Sequence, residues 1–257
     1  VRLSMNNLKL YWYAALGLQK VDNLKPSNYL LKQVKDNING KINIRDIEAN
    51  LTKYYNKQFK LNVKEKECDF VSARIVELLI KDKFVFDYNF IKDIHKYLFN
   101  DIYNFAGKYR TYNITKDEHI LRNDTVIYTD YNMIESTLDY DFKEEIKRDY
   151  SKLDKNERIH HITNFTSRIW EVHPFGEGNT RTIALFIILY LKTLRFNINY
   201  LVFKEHSLYF RNALVRSNYP NKDKNIYPTN EYLINFFENL LSNGNHKLDN
   251  NDLYIDD

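Results

Sequence analysis

Cysteine, proline and glycine are all scarce in this chain: one, four and six residues among 257. The lone thiol, Cys68, excludes an internal disulfide and any zinc site built from several thiolates. Long apolar runs are also missing. The longest, Ile183–Leu191, falls far short of the roughly 20 residues a membrane span needs. Tyr11–Leu18 is apolar but lacks the basic flank and small-residue cleavage site of a signal peptide. Val1–Ser4, ahead of Met5, carry no weight in this reading. A cytoplasmic protein with no membrane partner is the expectation. No dense Lys/Arg block occurs and the formal net charge is only +4, so nucleic acid is not an expected partner. With no internal repeat and no Gly/Ser-rich linker, one domain is expected.

Helical periodicity fills most of what remains. Tyr29, Leu30, Val34 and Ile38 share a face, opened by Pro26-Ser27 and closed by Gly40. Further helices are expected over Ile44–Phe59, Phe70–Ile80, Tyr88–Leu98, Tyr131–Leu153, Asn156–Glu171, Ser207–Arg216 and Asn230–Leu241. Between them, Tyr109–Ile114 and Thr125–Tyr128 favour short strands around a polar turn at Arg122-Asn123-Asp124. The expected fold is mainly α: a single helical domain with a β-hairpin insert at about 109–128. Residues 1–65 form an N-terminal helical extension, 66–241 the catalytic domain, and 242–257 a polar tail expected to fray. The 21 tyrosines and 16 phenylalanines supply an aromatic-rich core.

Two of the six glycines fall within His173-Pro-Phe-Gly-Glu-Gly-Asn-Thr-Arg-Thr182, and an apolar run follows at once. A glycine-relaxed loop opening onto a helix N-terminus favours phosphate through free N–H groups and the helix dipole. His173 can act as a general base near neutrality. Glu177 offers a hard oxygen ligand to Mg²⁺, and Gly176 and Gly178 allow close backbone approach. Asn179 can donate an amide N–H to a phosphoryl oxygen, and Arg181 presents a fork suited to phosphate. Taken singly, Asn179 is an N-cap and Glu177 with Arg181 a solvated i,i+4 pair. Four such functions in nine positions exceed what a turn requires. They supply what transfer at phosphorus asks of a protein.

The loop resembles the signature of the Fic family, His-x-Phe-x-Asp/Glu-Gly-Asn-Gly-Arg-x-x-Arg, at His173, Phe175, Glu177, Gly178, Asn179 and Arg181. Phe105–Thr111 is similar to that family's segment leading into a flap hairpin, and Phe210–Arg216 to a downstream helix. The resemblance implies Mg²⁺-dependent transfer of AMP from ATP to a Tyr, Thr or Ser hydroxyl of a target protein; tyrosines near the flap are candidate sites of self-modification. In that picture His173 is the base and Glu177 holds Mg²⁺. Asn179 and the loop positions Gly176, Gly178 and Thr180 attend the α-phosphate, and Arg181 binds the outer phosphates. Phe175 pins the loop, and the flap at Ile114–Tyr128 aligns the target by main-chain pairing.

Two positions depart from the signature. Thr180 replaces a glycine, and Ala184 stands where the second arginine would grip the γ-phosphate. That grip then falls to another residue, with Arg216 and Arg168 as candidates. Two alternatives follow: a phosphotransferase with the nucleotide reversed, or a catalytically weak module that binds nucleotide or a partner. The family's inhibitory pattern, Ser/Thr-x-x-x-Glu-Gly/Asn, is not intact here, since Glu238-Asn239 is preceded by Ile234 and Ser27 is followed by Leu31. A small inhibitory protein acting in trans is one way restraint could be supplied. Oligomeric state and target identity leave no mark in the sequence.

Overall fold

The computed structural model describes residues 5–256, so residues 1–4 of the extension and residue 257 of the tail lie outside it. Ten α-helices occur among the described residues. They are α1 (Met5–Leu18), α2 (Asn28–Ile38), α3 (Ile44–Asn56), α4 (Val63–Lys81) and α5 (Tyr88–Phe99), then α6 (Ile134–Ile146), α7 (Lys155–Val172), α8 (Asn179–Thr193), α9 (Tyr200–Ser217) and α10 (Glu231–Leu241).

Local chemistry sets the helix ends. Ser27 caps α2 by accepting from Leu30 N–H, and Asp154 with Glu157 forms a reciprocal capping box at the start of α7. α8 is the central strut: every residue from Asn179 to Leu191 is buried. It packs against both α5 and α7. Burying each Leu, Ile or Phe of this strut contributes about 1.5–3 kcal/mol, so Leu185→Ala would cost about 2–5 kcal/mol. The strut therefore holds the loop at its N-terminus on a rigid base.

α1 went unrecognised as a helix in the sequence because Trp12, Ala14, Ala15 and Leu18 are all fully buried and leave it little polar face. It packs against α4 and α9. At Gly17 the helices touch backbone to backbone: a Cβ there would sit 2.3 Å from the Phe203 carbonyl oxygen. Ser207 Oγ donates to Gly17 O across the same contact. The N-terminal helices are thus part of the common core, and a boundary at 65/66 falls inside the first turn of α4.

Two expectations need correction. The hairpin does not form: among the described residues 109–129 holds no strand, only an isolated bridge between Glu118 and Asp124 and a 3₁₀ turn at His119–Leu121. The two arms spend their backbone bonds elsewhere. Arg110 N–H donates to Pro174 O and Thr129 N–H to Glu171 O, and a bond that does cross between the arms, from Lys116 N–H, goes to the Thr125 hydroxyl and not to its backbone. The turn itself falls where expected, with Arg122 and Asn123 both at positive φ. Nor does the tail fray. Leu248, Leu253 and Ile255 are buried, Ile255 N–H donates to Ile120 O, and Arg216 donates to Leu253 O. Three apolar side chains in a polar stretch are enough to dock it.

Candidate active site

α7 ends on His173, which takes a left-handed conformation (φ 47°, ψ 58°) and donates its N–H to Trp170 O. That geometry costs a non-glycine residue about 1–2 kcal/mol. It turns the chain sharply out of α7, and His173 lines a cavity with the loop residues that follow. Arg110 supports the turn from outside: its Nε donates to His173 O at 2.8 Å and its fork reaches Val172 O and Thr129 O. A guanidinium on the last carbonyls of a helix satisfies acceptors that have no intrahelical donor.

The His173 ring lies against Tyr128 and Trp170, with centroids 4.2 and 5.2 Å away, and is 3% exposed. Both ring nitrogens lack a hydrogen-bond partner. Burial, aided by the charges of Lys116 and Arg211, drives its pKa well below the ordinary histidine value. It is a neutral imidazole at neutral pH, with a free lone pair.

Gly178 makes the loop possible. It sits at φ +79°, and a Cβ there would meet the Phe99 ring at 2.4 Å. Gly176 is not in the left-handed region, so the conformational demand falls on Gly178 alone. The first intrahelical bond of α8 runs from Thr182 N–H to Gly178 O. The N–H groups of Asn179, Thr180 and Arg181 precede it and point outward, as at any helix start. Asn179 closes the loop on itself: its amide donates to Phe175 O at 2.7 Å and accepts from Phe175 N–H at 2.9 Å. Its side chain is committed to the loop and not aimed at a phosphate. Thr180 accepts from Trp170 Nε1 at 2.9 Å, which ties α8 to α7.

Arg181 is 1% exposed and caged. Its Nε lies 2.7 Å from Asp22, one Nη 2.6 Å from Glu67 and the other 3.1 Å from Gln19 Oε1. Asp22 and Gln19 come from the turn after α1, which sequence reasoning did not connect to the site. Glu177, by contrast, holds its carboxylate half-exposed, 3.3 Å from Lys116 Nζ. Among the described residues no three His, Cys, Asp or Glu side chains gather as a metal site. Glu177 alone suits Mg²⁺, which takes one or two carboxylates and fills its shell with water and phosphate oxygens.

His173, Glu177, Gly178, Asn179 and Thr180 line one cavity with Asp22, Lys116, Trp170 and Arg211. Its volume is about 20 Å³, room for roughly one water. Of the arginines considered for the missing grip, Arg168 pairs with Asp141 and Arg216 holds the tail. Ala184 is fully buried in the strut. The arginine that does reach the cavity is Arg211. It went unassigned because its helix carried the only signal, the stretch Phe210–Arg216. His95, scattered in sequence from the other histidines and so not assigned to the site, also reaches the loop: its Nε2 bonds to Glu177 O at 3.0 Å from a helix far away in sequence.

The structure thus brings together a histidine at the end of one helix, a carboxylate in a glycine-bent loop and the N-terminus of the next helix. Residues 85–191 match the Fic/DOC family, so the chain carries a domain of that family. It is similar to the protein adenylyltransferase VbhT of Bartonella schoenbuchensis, with 34% identity over 103 residues, 40% of this chain and 20% of that protein. The matched region thus spans about a fifth of that relative's length. Two solved structures share the fold. The N-terminal FIC domain of Bep8 from Bartonella sp. 1-1C aligns over 72% of this chain and 89% of its own, with TM-score 0.56 and 16% identity. The N-terminal Fic domain of a Bep effector from Bartonella sp. AR 15-3 aligns over 77% and 83%, with TM-score 0.51 and 13% identity.

Proposed function

We propose that this chain transfers AMP from ATP to a hydroxyl side chain of a target protein. The observation that carries the reading is His173: a buried, neutral imidazole with both nitrogens free, facing a cavity shared with Glu177 and the start of α8. A structural histidine would have found partners. The similarity to a protein named adenylyltransferase supports the same reading.

His173 takes the proton from a target Tyr, Thr or Ser. The oxygen then forms a bond to the α-phosphorus, the α–β P–O bond breaks, and pyrophosphate leaves. The N–H groups of Asn179, Thr180 and Arg181 and the dipole of α8 hold the α-phosphate as negative charge builds. Asn179 and Thr180 act by fixing the loop and helix that present those groups. Glu177 would hold Mg²⁺, which when bound neutralises charge on the phosphates. ATP does not fit the cavity as it stands, so binding requires the side chains of Asp22 and Lys116 to part from Arg181 and Glu177. Arg181 can then meet the outer phosphates.

The test is transfer of label from ATP radiolabelled at the α-phosphate into protein, compared with ATP labelled at the γ-phosphate. The expected result is α-label only, lost in His173→Ala. Transfer of γ-label alone would instead establish a phosphotransferase, and no transfer with intact ATP binding a binding module.

A further inference from the structure

We propose that Arg211 is the guanidinium that grips the phosphate chain of the bound nucleotide in place of the arginine this chain lacks at Ala184. The inference rests on the nucleotidyl-transfer reading of the same site.

A nucleoside triphosphate needs cationic donors beyond a helix N-terminus, and the cavity offers few. Arg181 is held by Asp22, Glu67 and Gln19, with almost no exposed surface. Lys116 leans on Glu177. Arg211 reaches the cavity from α9, and a fifth of its side chain is exposed. Its two Nη atoms both rest on Glu118, one of them 3.0 Å from Oε1. A guanidinium carries five N–H groups. An end-on fork to one carboxylate uses two, and a weak contact at 3.5 Å to Asn212 occupies a third. The others remain for a ligand.

Glu118 is the anchor that makes this precise positioning possible. It is 1% exposed, takes a further hydrogen bond from Tyr128 at 3.3 Å, and Tyr128 in turn packs on His173. One chain of contacts therefore fixes the arginine and the base relative to each other. A carboxylate buried this deeply behind a cavity-lining arginine has no role in solubility. Holding a guanidinium rigid reduces the entropy lost when that guanidinium binds a phosphate.

Removing Arg211 alone would orphan the buried Glu118 charge and unfold part of the site. The informative variant is the double one, Arg211→Gln with Glu118→Gln, which removes both charges and keeps similar volume. Equilibrium binding of ATP and of adenosine is measured by calorimetry on the purified chain, with thermal melts to show that the variant is folded. The expected result is ATP affinity about 10- to 100-fold weaker, the range for a charged hydrogen-bonded contact, with adenosine affinity within about 2-fold. ATP affinity within about 2-fold of wild type in the folded variant overturns the assignment of Arg211 alone. A wild-type chain that binds no ATP overturns the nucleotidyl-transfer reading and this proposal together.

Discussion

The ring of His95 lies flat on the ring of Phe175, centroids 3.7 Å apart and planes 12° apart. Hydrogen bonds on both nitrogens lock the stack. Gly107 N–H donates to Nδ1 at 2.9 Å, so Nδ1 is the acceptor and Nε2 carries the proton given to Glu177 O. This neutral tautomer is required, because a proton on Nδ1 would face the Gly107 N–H. Burial pushes the His95 pKa down to about 4. Replacing His95 with Ala removes the stack and orphans a buried N–H and a carbonyl, at about 1–3 kcal/mol for each. The variant is expected to lose about 3–5 kcal/mol of stability in urea denaturation, and AMP transfer with it. A loss under about 1 kcal/mol would show that the loop does not depend on His95.

As the proposed base, His173 is expected to set the acid side of the activity profile. Its pKa is lowered by burial first and by nearby cations second. The base form is the neutral imidazole, so activity disappears only as pH falls through that lowered value. The acid limb of kcat/KM is therefore expected below pH 6.5, the ordinary histidine value. A limb at or above 7 in a pH series of label transfer would contradict the buried, partnerless environment.

Asp69 joins the N-terminal helices to α4. Fully buried, its carboxylate accepts from Ser27 N–H, Ser27 Oγ and Tyr55 Oη at 2.9, 2.5 and 2.7 Å. Burial outweighs those donors and raises its pKa from 3.8 to about 6. Between these values the folded state holds a proton that the unfolded chain has released, so stability falls as pH rises through the window. The Asp69→Asn variant lacks this dependence. The stability difference between variant and wild type is expected to shift in the variant's favour by about 1 kcal/mol from pH 5 to pH 7. Taking the difference cancels the other titrating groups. A shift in the opposite direction would mean the carboxylate is ionised without cost.

The helices with a polar face could be placed from the sequence, because one apolar stripe per helix leaves a clear period, but α4 and α9 begin seven residues earlier than expected and α6 ends seven residues earlier. α1 could not, since it is apolar nearly all round. The hairpin at 109–128 misled for a related reason: β-branched and aromatic residues favour extended backbone but do not say what the backbone bonds to. Here the arms bond to Pro174 and Glu171. In the site, the loop residues were legible because their chemistry is contiguous. Asp22, Gln19, Glu67, His95 and Arg211 were not, since each reaches the loop only through the packing of α1, α4, α5 and α9. Even within the loop, Asn179 carried a donor whose direction only the fold could fix.

Asp22 decides whether Arg181 is available. Its carboxylate is a third exposed and lines the cavity, whereas Glu67, on the far side of the guanidinium, is nearly buried. Removing Asp22 therefore leaves Arg181 charged, still paired with Glu67, and open on the side where the phosphates would arrive. It also removes a negative charge from the path of a polyanion. For Asp22→Ala the expected outcome is ATP affinity raised about 5- to 50-fold, within the range for losing one competing ion pair next to an anion site. Folding should be little affected, because Glu67 and Gln19 still hold both Nη atoms and only Nε loses its partner. Calorimetric titration of ATP at low and high salt checks this. If Asp22 competes with phosphate, the gain shrinks as salt screens both contacts. Unchanged or weaker ATP binding in a folded Asp22→Ala chain would mean that Arg181 stays with Glu67 and takes no part in holding the nucleotide.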